Sequence, residues 1–421
     1  MNNSKLSYAS LAVIAALGLS ACGGGGSGSA AGTSGSNTVG VISGFGSVYV
    51  NGCEYETDSA SISVDGQSAT EDDLSVGDVV QITGPANCTS GTASQIKSAD
   101  ELEGWVDSVA LDANGVGTMV VMGQTVTVTD MTVFEDDSGS VTTINDIAAN
   151  HVVEIHGFTS EQGTVFATRI EVKATSLASY PGELELKGIV KNLDAGASTF
   201  EIGALTINYG PITPGFTITN DLLVEVKFDD SKNPTSIEIE DDGKLGYDGD
   251  DDEEVEIYGM LTSIQSNNSF MLGEQKIQVT DATEYEEMDG ADTLQVKLAD
   301  TNMLGKLYLE VEGQFVDGVL VAKKVEFEAD IAVKNECKGT VSNLAPTAGE
   351  MNAGTLTVNA TLTAECEGQN SMDVTVNNST MMEDDSVANV SKFNLTYLRD
   401  GDLVEVYVDP TSGAAIKLER E

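Results

Sequence analysis

The chain has 421 residues, with 68 acidic and 20 basic side chains and a formal net charge of −48 at pH 7. This charge repels nucleic-acid phosphates and anionic lipid surfaces, so it excludes nucleic-acid binding and docking to a membrane through a basic patch. We interpret the acidic excess chiefly as a well-solvated surface.

The first residues have the pattern of a bacterial lipoprotein signal. Lys5 provides a positive start, residues 11–19 are apolar, and the segment ends in Leu-Ser-Ala-Cys with the cysteine at position 22. The apolar run is too short to span a bilayer. The resemblance to bacterial lipoproteins implies cleavage after Ala21 and lipidation of Cys22. The alternative is an ordinary secretory signal that ends near an unrelated cysteine.

The residue after this cysteine indicates the destination. In the lipoprotein sorting pattern an aspartate here favours retention in the inner membrane, whereas this chain has Gly23. The resemblance therefore implies an outer-membrane protein held by the acyl chains on Cys22, if the source is Gram-negative. It leaves open whether the chain faces the periplasm or the cell exterior. Residues 22–38 are rich in Gly and Ser and are expected to form a flexible tether.

Lipidation of Cys22 leaves four of the five cysteines for other roles. An even number suits disulfide bonds in an oxidising compartment. Proximity in the sequence favours the pairs Cys53–Cys88 and Cys337–Cys366. The alternative, a four-cysteine metal site, is disfavoured because the chain has no Cys-x-x-Cys spacing.

Internal repetition is the main structural signal. Five segments begin with a glycine and continue through short runs that have the two-residue period of half-buried strands. No helical pattern follows the signal. The pattern predicts an all-β chain of five tandem small antiparallel β-barrels, similar to the oligonucleotide/oligosaccharide-binding (OB) fold and arranged as beads or as a rod. The opening glycines are Gly40, Gly104, Gly188, Gly259 and Gly339.

The repeats define the predicted domain boundaries. A signal peptide covers residues 1–21, and the tether covers 22–38. The remaining segments are repeat 1 (39–98), repeat 2 (99–178), repeat 3 (179–242), an acidic linker (243–253), repeat 4 (254–330) and repeat 5 (331–421).

Residues 41–84 resemble the bacterial domain of unknown function 5666. The resemblance rests on Ile-Ser-Gly-Phe-Gly-Ser-Val-Tyr-Val-Asn-Gly at 42–52 and on Asp-Leu-Ser-Val-Gly-Asp-Val-Val at 73–80. The later repeats progressively lose the Gly-Phe-Gly-Ser and Asn-Gly elements. The family implies repeated small β-barrels in exported bacterial proteins, and it implies no established activity.

The acidic linker carries the sharpest chemical pattern. Asp248, Asp250, Asp252 and Glu254 alternate along it and offer the hard oxygen ligands that Ca²⁺ prefers. However, Glu253 stands where an EF-hand loop needs glycine, and no helical pattern flanks the segment. We favour a solvated, self-repelling linker, with weak Ca²⁺ binding as the alternative. No other cofactor is predicted.

A shorter motif recurs in three repeats. The pattern Thr-x-apolar-Glu is found at residues 132–135, 283–286 and 380–383, and acidic pairs follow at 136–137 and 384–385. Repetition favours a turn at one rim of a barrel over catalysis. A repeated weak cation site is the alternative.

The remaining candidate residues point away from catalysis. His151 and His156 are the only histidines, and their odd spacing in one predicted strand places them on opposite faces, so they are expected to be ordinary strand residues. Trp105 is expected to cap the core, with stacking on a sugar as the alternative. The chain lacks the nucleophile-elbow, phosphate-loop and His-Glu-x-x-His patterns and has no Cys-His nucleophile pair.

The sequence therefore predicts a non-catalytic, lipid-anchored cell-envelope protein that acts as a surface or periplasmic spacer, adhesive or scaffold. The alternative is a protein that binds glycans or divalent cations through its barrel faces, which an aromatic cluster on equivalent faces would favour. The expected partners are the membrane, through Cys22, and an envelope or extracellular protein or glycan whose identity the sequence leaves open.

Overall fold

The structure is a computed structural model that describes most of the chain after the tether. The described residues are 36–84, 91–160, 163–239, 254–266, 268–273, 275–286, 298, 300–316, 319–331, 334–363, 366–410 and 412–421.

The described chain is all-β, as predicted from its two-residue periodicity. Alternating residues are buried in most strands, for example Val224, Val226 and Phe228. Within the described ranges, helical structure is limited to three-residue 3₁₀ turns, and no helix has the length and apolarity needed to cross a membrane. These turns are Glu71–Asp73, Ile144–Asp146, Leu177–Ser179, Thr301–Met303 and Leu395–Tyr397.

Repeats 1 and 2 contain fourteen strands, numbered in chain order. The first, β1, begins at Ser36, inside the segment predicted to be tether. Repeat 1 contains β1 (Ser36–Phe45), β2 (Val48–Val50), β3 (Cys53–Glu56), β4 (Ser61–Val64), β5 (Gln67–Ala69), β6 (Val79–Gly84), β7 (Gly91–Thr92) and β8 (Gln95–Ser98). Repeat 2 contains β9 (Leu102–Leu111), β10 (Gly117–Val121), β11 (Gln124–Val128), β12 (Val133–Asp136), β13 (Val152–Thr159) and β14 (Thr164–Ala174).

Repeats 3 to 5 each contribute six strands. Repeat 3 contains β15 (Leu184–Ile189), β16 (Lys191–Asp194), β17 (Thr199–Ile202), β18 (Leu205–Asn208), β19 (Leu223–Phe228) and β20 (Pro234–Ile239). Repeat 4 contains β21 (Glu254–Ser266), β22 (Ser269–Leu272), β23 (Gln275–Gln278), β24 (Glu284–Glu286), β25 (Leu307–Val316) and β26 (Val319–Asp330). Repeat 5 contains β27 (Asn335–Pro346), β28 (Gly354–Ala360), β29 (Ser371–Val376), β30 (Met381–Asp384), β31 (Leu403–Val408) and β32 (Ala415–Arg420).

The sheets extend from one repeat into another. Strand β1 of repeat 1 pairs in parallel with β21 of repeat 4, so that a sheet of 14 strands includes both repeats. Strand β9 of repeat 2 pairs with β15 of repeat 3 in a sheet of nine strands. Such pairing satisfies backbone groups that an isolated repeat would leave exposed at its strand edges.

The prediction of five separate antiparallel OB-like barrels, arranged as beads or as a rod, is therefore wrong. The described residues from Ser36 to Glu421 belong to one compact unit, whose strands follow a solenoid of about nine turns. Parallel pairs also occur within repeats, as between β11 and β14 and between β30 and β32. The sequence period identifies strands, but it does not specify which strand edges pair or in which direction.

The hydrophobic cores likewise cross repeat boundaries. One cluster contains residues of both repeat 2 and repeat 3, and within it Trp105 packs edge-on against Phe228 with ring centroids 5.5 Å apart. A second cluster joins repeat 4 to residues of repeats 1 and 2, where Phe158 meets Tyr308 at 6.3 Å. Burial of these shared apolar surfaces stabilises the repeats as one body.

Candidate functional site

Repeats 1 and 2 meet at a buried group of charged residues, which we call the charged junction. Its members are Asp78, just before β6; Glu135 on β12; Glu154 and His156 on β13; and Arg169 and Glu171 on β14. The exposed fractions of Asp78, His156 and Arg169 are only 3%, 2% and 4%. Charges buried to this degree require close partners.

Arg169 is the centre of the charged junction. Its Nη2 lies 2.5 Å from Oε2 of Glu135 and also contacts Glu171. Its Nη1 lies 3.4 Å from Oε1 of Glu154 and 3.5 Å from Oδ1 of Asp78. The planar guanidinium therefore joins three strands of repeat 2 to repeat 1, a role for which its fixed set of donors is suited.

His156 contributes a second contact between the repeats. Its Nε2 lies 3.0 Å from Oε1 of Glu154 and 3.4 Å from Oδ1 of Asp78, while the buried Nδ1 has no hydrogen-bond partner. Burial alone would lower the pKa of His156, but the two carboxylates outweigh it and raise that pKa. Burial would also raise the pKa of Glu154, yet His156, Lys173 and Arg169 hold it well below its ordinary range. The raised pKa of His156 and the lowered pKa of Glu154 both favour the charged forms of these two side chains, which attract each other.

A glycine permits the close approach of the two repeats. Gly77 has a φ of +92°, and a Cβ at this position would lie 2.9 Å from Cβ of Arg169 and 3.0 Å from the carbonyl oxygen of Thr168. Another residue at this position would force strain and a clash. The absence of a side chain at Gly77 therefore makes room for Arg169.

The Thr-x-apolar-Glu motif has a structural explanation. Each threonine hydroxyl accepts a hydrogen bond from the backbone amide three residues earlier and donates one to a carbonyl of the last strand. The donated bonds from Thr132, Thr283 and Thr380 are all 2.8 Å long. Each threonine thus fixes a short strand in parallel register against the last strand of its repeat.

The glutamate of the motif pairs with a basic residue on that last strand. The motif glutamates are 2.5 to 2.6 Å from their basic partners in the three repeats. Each basic residue also contacts a glutamate two positions further along its own strand. The three sets are Glu135, Arg169 and Glu171; Glu286, Lys324 and Glu326; and Glu383, Lys417 and Glu419.

The sequence interpretation missed these pairs and treated His156 as an ordinary strand residue. The available signal was the pattern basic-x-Glu in the last strand of the same three repeats, at residues 169–171, 324–326 and 417–419. It was hidden because the motif glutamate lies more than thirty residues before its basic partner.

A cleft lies between repeats 2 and 3. It measures about 350 Å³ and is lined by Gln124, Ser160, Lys187, Lys191 and Asn192, among others. None of its described lining residues is aromatic. Gln124 crosses the repeat boundary, because its Nε2 donates to the carbonyl oxygen of Ile202 at 2.8 Å.

Lys187 at this cleft also forms an ion pair with Asp65 of repeat 1. Its Nζ is 3.1 Å from Asp100, 3.3 Å from Asp65 and 3.6 Å from Glu185. The oxygens of these three carboxylates lie within 4.8 Å of one another, a spacing that would suit a metal ion. The ammonium group already occupies the centre of the group, so we interpret it as an ion-pair cluster.

Several predicted site residues can now be placed. Cys337 and Cys366 form the predicted disulfide. Cys53 is also disulfide-bonded, but its predicted partner, Cys88, lies outside the described residues. Trp105 is 3% exposed, and its Nε1 donates to Asp107, so it packs in the core.

The remaining predicted sites fall largely outside the described residues. Cys22 and the Ca²⁺ candidates Asp248, Asp250 and Asp252 are not described. The fourth candidate, Glu254, is the first residue of β21. The acidic pairs lie at turns that follow β12 and β30, but the predicted barrel rim is wrong because these strands belong to a solenoid. Asp136 accepts hydrogen bonds from the backbone amides of Ser138, Ser140 and Val141, and Asp384 accepts them from those of Ser386 and Val390.

Comparison with known proteins assigns the chain to a family. The sequence profile of a domain of unknown function (DUF5666) matches residues 38–97, 103–171, 258–326 and 338–416. The chain therefore belongs to this family, whose activity is uncharacterised. The matched segments correspond to repeats 1, 2, 4 and 5.

Other comparisons add no functional information. No curated protein matches the chain. Among solved structures, the one described as "drosophila Unr CSD456" is 14% identical, covers 56% of this chain and 96% of its own, and has a TM-score of 0.14. A likeness this weak supports no statement about fold or function.

Proposed function

We propose that the chain is a non-catalytic cell-envelope protein, anchored in the outer membrane through lipids on Cys22, that acts as a spacer or scaffold. The observation that carries the proposal is the joining of repeats by buried ion pairs and shared sheets. Arg169 and His156 of repeat 2 contact Asp78 of repeat 1, and β1 continues into the sheet of repeat 4. A body joined in this way is suited to holding a fixed separation between its ends.

Contacts of repeat 5 support the same proposal. Lys334 lies 2.5 Å from Asp130 of repeat 2, and Lys392 lies 2.9 Å from Asp72 of repeat 1. The backbone amide of Phe134 in repeat 2 donates to Glu383 at 3.3 Å. The last repeat is thus tied to the first two, although individual exposed pairs add little stability.

The buried basic residues are engaged in ion pairs, and we propose no catalytic role for them. A catalytic acid or base needs a pKa near the working pH and access to a substrate. In the described chain, the most buried basic residues, Arg169, Lys187 and Lys417, each pair with several carboxylates. Such groups serve to fix the fold, and we propose no reaction for them.

Cell fractionation tests the anchor. Wild-type protein should appear in the outer-membrane fraction, with acyl groups on Cys22 detected by mass spectrometry of the N-terminal peptide. Cys22→Ser should lose both properties, whereas Ser27→Ala in the tether should behave as wild type. A wild-type N-terminal peptide with a free Cys22 thiol, or membrane retention of Cys22→Ser, would contradict the proposal.

The cleft between repeats 2 and 3 favours ligand binding as a second candidate function. Its volume of about 350 Å³ is that of a small-molecule site. The amides, hydroxyls and lysines in its lining suit a polar ligand such as a short glycan, although aliphatic side chains also line it and no described lining residue offers an aromatic ring for stacking. A thermal-shift screen with oligosaccharides should give a stabilising ligand whose effect Asn192→Ala removes. No shift with any of them would exclude this candidate for glycans.

A further inference from the structure

Repeat 3 ends in a strand with one uncovered edge. Strand β20 (Pro234–Ile239) is the terminal strand of the nine-stranded sheet, and among the described residues it pairs only with β19. No backbone hydrogen bond from another described residue reaches its second edge. Only the first residue, Pro234, lacks a backbone N–H. The edge therefore presents N–H and C=O groups that have no partner in the described chain.

The corresponding edge is covered in the other repeats. In repeats 2, 4 and 5 the last strand carries the short strand of the Thr-x-apolar-Glu motif in parallel register, as β12 on β14, β24 on β26 and β30 on β32. In repeat 1, β4 lies in the same way on β8. Repeat 3, which the family profile does not match, therefore lacks an element that the matched repeats share.

The sequence of repeat 3 explains the missing strand. In repeats 2, 4 and 5 the connection that contains the motif strand covers residues 129–151, 279–306 and 377–402. In repeat 3 the equivalent connection covers only residues 209–222, and it forms no strand. It contains Pro211 and Pro214, which cannot donate hydrogen bonds to a neighbouring strand. A strand that covers β20 must therefore come from outside this connection.

A side chain on β20 is exposed where its counterpart in repeat 2 is covered. In the pairing with β19, Glu238 takes the place that Glu171 of β14 has in the pairing with β13. The next residue of β14, Val172, pairs with β12 and is fully buried, whereas Ile239 of β20 is 39% exposed. An added strand would remove more of the Ile239 side chain from water, which is favourable.

Glu238 indicates the charge that an added strand should carry. In β14, Arg169 contacts Glu171, but in β20 Ser236 stands in place of the arginine. Among the described residues, no ion pair reaches Glu238, and Lys227, opposite Ser236, pairs with other glutamates. A basic residue on the added strand would supply the missing charge. The net charge of −48 also favours a basic partner and opposes a second copy of this chain.

We propose that the open edge of β20 binds an extended basic segment of another protein as an added parallel strand. Its backbone bonds to β20, its apolar side chains cover Ile239, and a lysine or arginine pairs with Glu238. The parallel direction follows from the motif strands that occupy the same edge in the other repeats. This binding edge does not depend on the lipid anchor, so either proposal can fail without the other.

Peptide binding to the full mature chain tests the proposal. The probe is a fluorescently labelled peptide, Lys-Val-Thr-Val-Lys-Val-Thr-Val, which has the length of a typical strand. Glu238→Lys should weaken its binding about tenfold or more, because the substitution replaces attraction by repulsion. The matched control is Glu56→Lys, at an exposed glutamate on β3, a strand that is paired on both edges. This control should bind the peptide as wild type does.

Two measurements on the wild-type chain separate strand addition from general attraction to an acidic surface. A peptide with two of the valines replaced by proline keeps the charge but loses backbone donors, so it should not bind. In hydrogen–deuterium exchange, the first peptide should protect amides of residues 235–239.

The proposal would be overturned if the first peptide did not bind, or if both peptides bound equally well. Equal binding to wild type and Glu238→Lys, or no added protection in β20, would also contradict it. Dimerisation of the chain that Glu238→Lys abolishes would assign the edge to a second copy and overturn the proposal as well.

Discussion

Arg169 of repeat 2 and Asp78 of repeat 1 form a buried contact, with Nη1 of the arginine 3.5 Å from Oδ1 of the aspartate. Both side chains are almost fully shielded from solvent. The contact is possible because Gly77 leaves room for Arg169. The ion pair therefore joins the two repeats, and removal of either side chain is expected to destabilise both of them.

Arg169→Met should destabilise the protein strongly. The substitution retains much of the side-chain volume but leaves the buried Asp78 and Glu171 and the half-buried Glu135 and Glu154 without their central cation. Removing one partner of a buried ion pair typically costs about 3–5 kcal/mol. Urea or thermal unfolding should show this loss. Lys191→Met, which breaks an exposed pair with Asp221, should cost less than about 1 kcal/mol. Equal effects of the two substitutions would contradict the charged junction.

The free energy of unfolding should fall as the pH rises, because Glu103 has a raised pKa in the folded chain. Burial and the charge of Glu154 raise the pKa of Glu103 from 4.5 to about 8. The folded chain therefore keeps a proton that the unfolded chain releases, so this group lowers the free energy of unfolding as the pH rises from about 4.5 to 8.

Glu103→Gln should make that pH dependence shallower. Glutamine keeps an oxygen to accept the hydrogen bond from the Tyr180 hydroxyl. The variant should match wild type at pH 4 and exceed its stability by about 2 kcal/mol at pH 8.5, allowing for partial solvent screening. Urea unfolding at several pH values measures this. If the free energy of unfolding changed with pH in the same way for wild type and variant, Glu103 would not hold the extra proton.

Thr132→Val tests the role of the threonine in the Thr-x-apolar-Glu motif. Valine has nearly the same shape as threonine but lacks the hydroxyl. It therefore loses the hydrogen bond accepted from the Thr129 amide, at 3.0 Å, and the one donated to the Ala167 carbonyl, at 2.8 Å. Leaving these buried groups unsatisfied should cost about 1–3 kcal/mol. Thr125→Val on β11 is the control, because Thr125 is exposed. Similar melting temperatures for the two variants would argue against this role.

The strands could be predicted from the sequence with good accuracy. The run Thr-Met-Val-Val at 118–121 is typical of a strand, and the structure has β10 at Gly117–Val121. The run at 402–408 is likewise typical of a strand, and the structure has β31 at Leu403–Val408. Such segments are specified locally, because each strand has one face in the core. The disulfide between Cys337 and Cys366 could also be predicted, because the two cysteines are only 29 residues apart.

The relations between repeats could not be predicted in this way. The parallel pairing of β1 with β21 joins residues more than two hundred positions apart, and periodicity carries no information about such a partner. The charged junction was missed for the same reason, since Asp78 and Arg169 look like ordinary surface charges in the sequence. Their burial is a result of how the repeats pack.

The disulfide of repeat 5 should stabilise that repeat. Replacement of Cys337 and Cys366 by serine opens a loop of about 30 residues, which corresponds to about 3–4 kcal/mol in the chain-entropy model. Limited proteolysis of the full chain, followed by mass spectrometry, should show earlier cleavage within 331–421 in the double variant. An unchanged cleavage pattern would show that packing alone holds this repeat.

Hydrogen–deuterium exchange of the full chain tests most directly whether the repeats act as one joined body. Wild type, Arg169→Met and the control Lys191→Met would be compared under native conditions. We expect Arg169→Met to reduce protection in β14 of repeat 2 and also in β6 of repeat 1, because both depend on the same buried charge contact. Loss of protection confined to repeat 2, with β6 as protected as in wild type, would contradict a scaffold built from coupled repeats.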